Sequence, residues 1–363
     1  MLPDEALDST AVEAGSGETV VTPDGEIIDC GVATLAPEVA RRCHDVPVSA
    51  ERVDDELNPA QRQVMDVLAA GPEGRPRFEP ELQEELLAEL ESGIASAAAR
   101  HSGGRALWVS KYPISQVLSC EGKWMAERDE PFAYDVSTAR GQVAHKAIEL
   151  GVFWRDDEPP LTLINEAINR LGRQDNALAD FLIHLEEGDR SELVGTANDK
   201  VAKFFECFPP MHPKWRPVPE ASMRRELCDG TVVLAGKVDL TLGFARGFEA
   251  GKVIIDLKTG SVSPHHPEDL RFYALIELLR LGVPPRRIAT YYLDTGYLHV
   301  EDVTPDLLRS ASRRVTHAIN RMVELVEDGA EAKLVPGPPC RWCAVLDMCD
   351  VGKSSVSEFD EFA

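Results

Sequence analysis

Asp239 and the run Asp256-Leu257-Lys258 are the residues of this sequence best suited to chemistry. Carboxylate oxygens are hard donors that suit Mg²⁺ or Mn²⁺ and leave coordination positions open for water and a phosphate. An ammonium beside such a centre can orient or deprotonate an attacking water and neutralise charge that develops on a phosphoryl group. Hydrolysis of a phosphodiester is the reaction these groups fit. On this reading Asp239 and Asp256 are metal ligands, His145 is a third and the Leu257 carbonyl a fourth. Lys258 is the catalytic cation, acting with Asp239 and Asp256.

Strands must position these groups. Val238, Leu240 and Leu242 alternate with Lys237, Asp239 and Thr241, the period of a strand with one apolar face. Gly243 to Lys252 supplies a glycine-rich turn, and Val253 to Ile255 begins an apolar return strand. That strand places Asp256 and Lys258 on one face and Leu257 on the other. The hairpin register brings Asp239 beside Asp256 and Lys258. Charged groups at the end of buried strands are costly unless something binds them. Upstream, Arg140 to Trp154 reads as a helix with His145 and Glu149 four apart on one face.

Cys340-x2-Cys343-x5-Cys349 forms a second constellation in a proline-rich segment. Three clustered thiols cannot complete a four-coordinate site, and Cys120 is the chosen fourth. Thiolates alone suit an iron–sulfur cluster or Zn²⁺. Cys30, Cys43, Cys207 and Cys228 are left as unpaired or buried thiols.

The chain has 363 residues and a net charge of −24. The acidity is concentrated in residues 1–100, which hold 7 Lys+Arg against 22 Asp+Glu. That field argues against a globally basic nucleic-acid binder, so recognition of nucleic acid must rest on a local groove. Candidate groove residues are Lys111, Arg140, Lys146, Lys237, Arg271 and Arg280, with Trp108, Tyr112 and Trp124 as stacking surfaces. No apolar run is long enough to span a membrane and no signal segment is visible, which predicts a cytoplasmic protein. No GxxxxGK[ST] phosphate loop occurs, so any helicase motor belongs to another polypeptide.

Residues 1–58 read as an acidic, disordered arm. Residues 59–105 read as a helical extension and linker, with helices at Leu57–Ala70 and Phe78–Ala99 and the main boundary at His101–Arg105. Residues 106–350 form the catalytic domain and 351–363 an acidic tail. Strands at Ala221–Leu227, Ile288–Leu293 and Tyr297–Val303 and helices at Glu268–Leu281 and Pro305–Glu327 complete an α/β core, a mixed central sheet flanked by helices.

Taken together, these residues resemble the PD-(D/E)XK nuclease superfamily. They resemble most its RecB-like branch with an iron–sulfur cluster, which includes AddB-type helicase–nuclease subunits and CRISPR-associated RecB-like exonucleases. The resemblance spans about 107–350 and rests on Gly141-x3-His145-x3-Glu149, Gly236-x2-Asp239, Asp256-x-Lys258 and the four cysteines. It implies a restriction-endonuclease-like core and Mg²⁺ or Mn²⁺ held by His145, Asp239 and Asp256. It also implies a catalytic Lys258, and a 4Fe–4S cluster on Cys120, Cys340, Cys343 and Cys349 that joins the N- and C-terminal parts. One departure stands out: where the family has Gln-x3-Tyr, this chain has Asp269-x3-Tyr273. DNA positioning then falls to Tyr273, Arg271, Asp269 and Glu149. The expected activity is a metal-dependent DNA exonuclease acting at single-stranded or free ends in repair, recombination or CRISPR adaptation, with a separate helicase as partner. The competing expectation is a non-catalytic, metal-stapled DNA-binding or adaptor subunit; Zn²⁺ is the alternative at the cysteines.

Overall fold

The computed structural model describes Thr19–Val21, Ile27–Asp29 and residues 57–361, apart from 71–73, 102–103, 131, 155–157 and 264. Two compact units divide the chain, Met1–Glu56 and Leu57–Ala363. In the first, strands β1 (Thr19–Val21) and β2 (Ile27–Asp29) pair antiparallel. The rest of the acidic arm expected over 1–58, with Cys30 and Cys43, lies outside the described residues up to Glu56.

The second unit opens with helices α1 (Pro59–Leu68) and α2 (Glu81–Arg100). Asn58 and Gln61 close a capping box at the start of α1, with Pro59 at the first helical position. Strand β3 (Leu107–Val109) is followed by α3 (Lys111–Ser119), α4 (Glu121–Glu127), α5 (Val136–Phe153), α6 (Pro160–Leu171), α7 (Ala177–Ile183) and α8 (Glu187–Cys207). Strands β4 (Val218–Leu227), β5 (Val232–Leu242) and β6 (Val253–Lys258) come next, then α9 (His266–Leu281), β7 (Arg287–Tyr292) and β8 (Tyr297–Asp302). Helices α10 (Pro305–Val326) and α11 (Asp350–Glu361) close the chain.

The six strands β3 to β8 form one mixed sheet. Its two faces carry separate cores. Residues of α2, α3, α9 and α10 pack with Ile254 and Ile288, whereas α1, α5, α6, α7 and α8 pack with Val253, Ile255 and Ala289. Neighbouring residues of β6 and β7 thus go to opposite layers, as the pleat requires.

Helix α2 departs from the expected extension. Leu82, Leu86, Leu90, Ile94 and Ala97 are all buried, and they join the core of α9 and α10. Asn320 donates to the Gly93 carbonyl at 2.9 Å and Gln83 to the Leu279 carbonyl at 3.1 Å. A helix with one apolar stripe needs a surface to cover it. Here the sheet domain supplies that surface, so no division falls at His101–Arg105.

Candidate active site

The site forms where the sheet forks. Strand β4 pairs with β5 along one edge, from Val232 to Thr241. On the other edge β3 takes Val232–Leu234 and β6 takes Leu240–Leu242. Ala235–Asp239 therefore have no strand on that edge. Because β3 runs parallel to β5 and β6 antiparallel, their C-terminal ends point at each other across the gap. Lys111 follows the end of β3, Asp256 and Lys258 end β6, and Asp239 lies on β5 between them. Ligands of α/β sheets characteristically bind at such carboxyl ends of strands.

On the α5 side, His145 Nδ1 lies 3.2 Å from Asp239 Oδ1. His145, Glu220 and Asp239 each offer a ligand atom within 4.8 Å of the others. Glu220 stands at the β4 position opposite Asp239, between the pairs Pro219–Leu240 and Ala221–Val238. Its φ of 53° puts a non-glycine residue in the left-handed region inside a strand, a strain that costs of order 1–3 kcal/mol. The second oxygen of Asp239 accepts the Leu257 backbone N–H at 2.7 Å and ties the two strands together. Burial opposes protonation of His145, but the facing Asp239 carboxylate raises its pKa overall.

On the α9 side, Asp256 is buried between two ammonium groups. Lys111 donates to Oδ1 at 2.9 Å, and Lys258 Nζ lies 2.7 Å from Oδ2. Burial alone would raise the Asp256 pKa, but the two cations outweigh it and bring it to about 2. Asp269 Oδ2 lies 3.6 Å from Lys258 Nζ and 4.0 Å from Lys111 Nζ. The position where Gln was expected thus holds an anion that fixes both lysines.

The expected residues accordingly fall into two groups. His145, Asp239, Asp256, Leu257 and Lys258 all reach the fork, with Asp256 held by lysines outside the His145–Glu220–Asp239 trio. The four residues assigned to DNA positioning are otherwise engaged. Arg271 makes a two-bond contact with Glu301 at 2.8 and 2.7 Å and a further bond to Glu268. Tyr273 is fully buried, with its hydroxyl donating to the Lys237 carbonyl at 3.0 Å. Its ring lies over Gly236, where a Cβ would stand 2.3 Å from Tyr273 Cε1. Glu149 accepts from Lys146 at 2.7 and 2.8 Å. Among the expected groove cations, Lys237 pairs with Glu220 and Arg280 with Glu277. Trp124 is buried, whereas Trp108 and Tyr112 are exposed.

Glu220 and the part played by Lys111 were missed. Lys111 was one of six scattered cations, and nothing local says that it meets Asp256. Glu220 could have been found: continuing the strand back past Ala221 sets it opposite Asp239.

The four cysteines line one pocket of about 850 Å³ between the α3–α4 junction and the C-terminal segment. All four are free thiols, and no three of them lie within 4.8 Å of one another. Glu121, next to Cys120, stitches the two sides together. Its backbone N–H donates to the Lys333 carbonyl, and its carboxylate accepts from the Lys333 N–H at 2.7 Å and from Arg321. Gly352 donates its N–H toward Cys349 Sγ at 3.3 Å.

A sequence profile of the PD-(D/E)XK nuclease superfamily matches residues 109–350. No curated protein matches the chain. Among solved structures, a protein of Eubacterium rectale provisionally described as an exonuclease is 13% identical, with 70% of this chain and 90% of that one covered and a TM-score of 0.43. The structure of SSO0001 is 13% identical, with 58% and 95% covered and a TM-score of 0.27. At those scores neither likeness bears on fold or chemistry. No described helix is long and apolar enough to cross a membrane.

Proposed function

Since this chain belongs to the PD-(D/E)XK nuclease superfamily, we propose that it is a Mg²⁺- or Mn²⁺-dependent DNA exonuclease of the RecB-like branch, acting at single-stranded ends. The observation that carries this reading is the fork itself, where His145, Glu220 and Asp239 converge beside Asp256 and Lys258. One imidazole and two carboxylates are a donor set that fits a hard divalent ion. His145, Asp239 and Glu220 would hold it, with Asp256 and the Leu257 carbonyl completing the set from β6. A bound divalent ion supplies acidity to water and positive charge to a phosphodiester.

The remaining work falls to the chain's own groups. Lys258 holds the attacking water and its proton within reach of Asp256 and adds positive charge where the phosphoryl group becomes more negative. Asp269 keeps that ammonium aimed at the site through its 3.6 Å contact. The Leu257 N–H fixes the rotamer of Asp239, so the carboxylate need not reorganise when substrate arrives.

We assign the cysteine pocket, lined by Cys120, Cys340, Cys343 and Cys349, to a 4Fe–4S cluster, with Zn²⁺ as the alternative that thiolate ligands also suit. In this role the cluster is structural, pinning the C-terminal segment against α3 and α4. DNA is the substrate, and a separate helicase is the natural supplier of single-stranded ends. We place the catalytic residues within 106–350, on a unit whose core includes α2, and the protein in the cytoplasm, in repair, recombination or CRISPR adaptation.

Anaerobically purified protein with Mn²⁺, presented with end-labelled single-stranded, duplex and circular DNA, tests the proposal. Cleavage of linear single strands from an end, with circular strands spared, supports it. Metal-bearing protein that leaves every DNA intact supports instead the non-catalytic adaptor.

A further inference from the structure

At the end of the β5–β6 hairpin away from the carboxylates, a pocket of about 240 Å³ opens beside the C-terminus of α1. Among the described residues its charged lining is cationic, Arg75, Lys214, Arg246 and Arg286, in a chain of net charge −24. Arg286 is anchored by donating to the Leu68 and Ala69 carbonyls. Arg75, Lys214 and Arg246 make no ion pair among the described residues. Arg75 is seated rather than loose: a Cβ on Gly251 would lie 2.5 Å from its Nη1. Burial, together with the facing Arg287 and Arg75, lowers the Arg286 pKa to about 10 against the opposing pull of Asp302.

Aromatic faces accompany the cations. Trp215 and Phe244 line the pocket, and the guanidinium groups of Arg216 and Arg246 lie 4.2 and 5.4 Å from the Phe244 ring centroid. Guanidinium groups suit phosphate, and aromatic rings suit the face of a base. An acidic peptide would use the first and leave the second idle.

We propose that this pocket is a second nucleic-acid site that holds a nucleotide of a single strand, its phosphate against Arg75, Lys214 and Arg246 and its base against Trp215 or Phe244. The choice of nucleic acid rests on the nuclease reading. Leu242 and Val253 line the pocket, each three residues along its strand from Asp239 or Asp256. At about 3.3 Å per residue the pocket lies about 10 Å along the hairpin from the carboxylates.

The test is the full chain carrying Lys214→Glu and Arg246→Glu, two exposed positions outside the catalytic set, in a Lys258→Ala background that spares the probe. Anisotropy of a labelled oligothymidylate of about 20 nucleotides is followed between about 50 and 200 mM salt. The expected result is at least a tenfold loss of affinity and a salt slope shallower by about 1.4, two phosphate contacts at about 0.7 each. Unchanged affinity and slope overturn the proposal and leave the nuclease reading standing. A Lys258→Ala parent that binds no oligonucleotide at any salt overturns both. A poly-glutamate peptide that binds the parent, where the oligonucleotide does not displace it, reassigns the pocket to an acidic protein and overturns the proposal. Should the double glutamate variant melt early, Lys214→Gln with Arg246→Gln gives the same reading at reduced size.

Discussion

Lys111 Nζ lies 2.9 Å from Asp256 Oδ1, although 145 residues separate them in the sequence. The two meet because β3 and β6 approach the same unpaired stretch of β5 from opposite directions. Asp256 consequently has an ammonium on each oxygen, and Asp269 faces both lysines.

A cation so placed competes with a divalent ion for Asp256. Lys111→Met should therefore tighten Mn²⁺ binding several-fold by calorimetry, since one positive charge leaves the site. Cleavage should fall by about tenfold or more as the carboxylate loses a fixed partner. Weaker Mn²⁺ binding in this variant would show that Lys111 supports the ion instead of opposing it.

His266 gives a pH signature. Burial and the nearby Lys258 and Lys111 ammonium groups lower its pKa from 6.5 to about 4, and its Nδ1 lies 3.0 Å from the Tyr292 hydroxyl. The unfolded chain takes up this proton first as pH falls. His266 thus contributes stability that is present in full above about 6.5 and lost between about 6.5 and 4. Denaturant melts of the parent and His266→Gln across that window should diverge, with the variant less sensitive to acid. Parallel pH profiles would refute the assignment.

Gly236 has no room for a side chain, because Tyr273 packs over its Cα. Gly236→Val should cost about 1–3 kcal/mol through overpacking against a buried ring. A thermal melt should show the loss as a midpoint lower by several degrees, and an unshifted midpoint would contradict the packing described.

Glu121 joins α4 to the segment that leads to Cys340. Its carboxylate serves Arg321 and the Lys333 N–H, and those bonds hold its pKa below the usual carboxylate range. Glu121→Ala should cost about 1–3 kcal/mol by removing its bonds to Arg321 and the Lys333 N–H, although Arg321 keeps Glu324. It should also speed proteolysis after residue 333. On the proposed cluster assignment, Glu121→Ala should speed iron loss from the anaerobic protein and Cys349→Ser should abolish the visible iron–sulfur absorption that the assignment predicts for the parent.

How far the sequence could be read follows from the range of each interaction. Asp239, Asp256 and Lys258 were legible because a hairpin with alternating faces fixes their register within 20 residues of chain. His145 was legible through its helical spacing to Gly141 and Glu149. Lys111 was not, since its place depends on two strands meeting end to end, whereas Glu220 lay one residue beyond the strand expected at Ala221–Leu227, in register with Asp239. The protein partners of Arg271 and Tyr273 were illegible for the same reason. Their partners, Glu301 and Gly236, lie on other strands, and only the packed structure shows that each is already engaged. The linker-like His101–Arg105 concealed the fact that α2 shares the core of α9 and α10.

The most direct test separates holding the ion from using it. Lys258→Ala removes the ammonium and leaves His145, Glu220 and Asp239 in place. Mn²⁺ titration and single-strand cleavage are measured side by side on parent and variant. The account predicts Mn²⁺ affinity within a few-fold of the parent and cleavage slower by about 10²–10⁴. Cleavage by the variant at the parental rate would place the chemistry elsewhere.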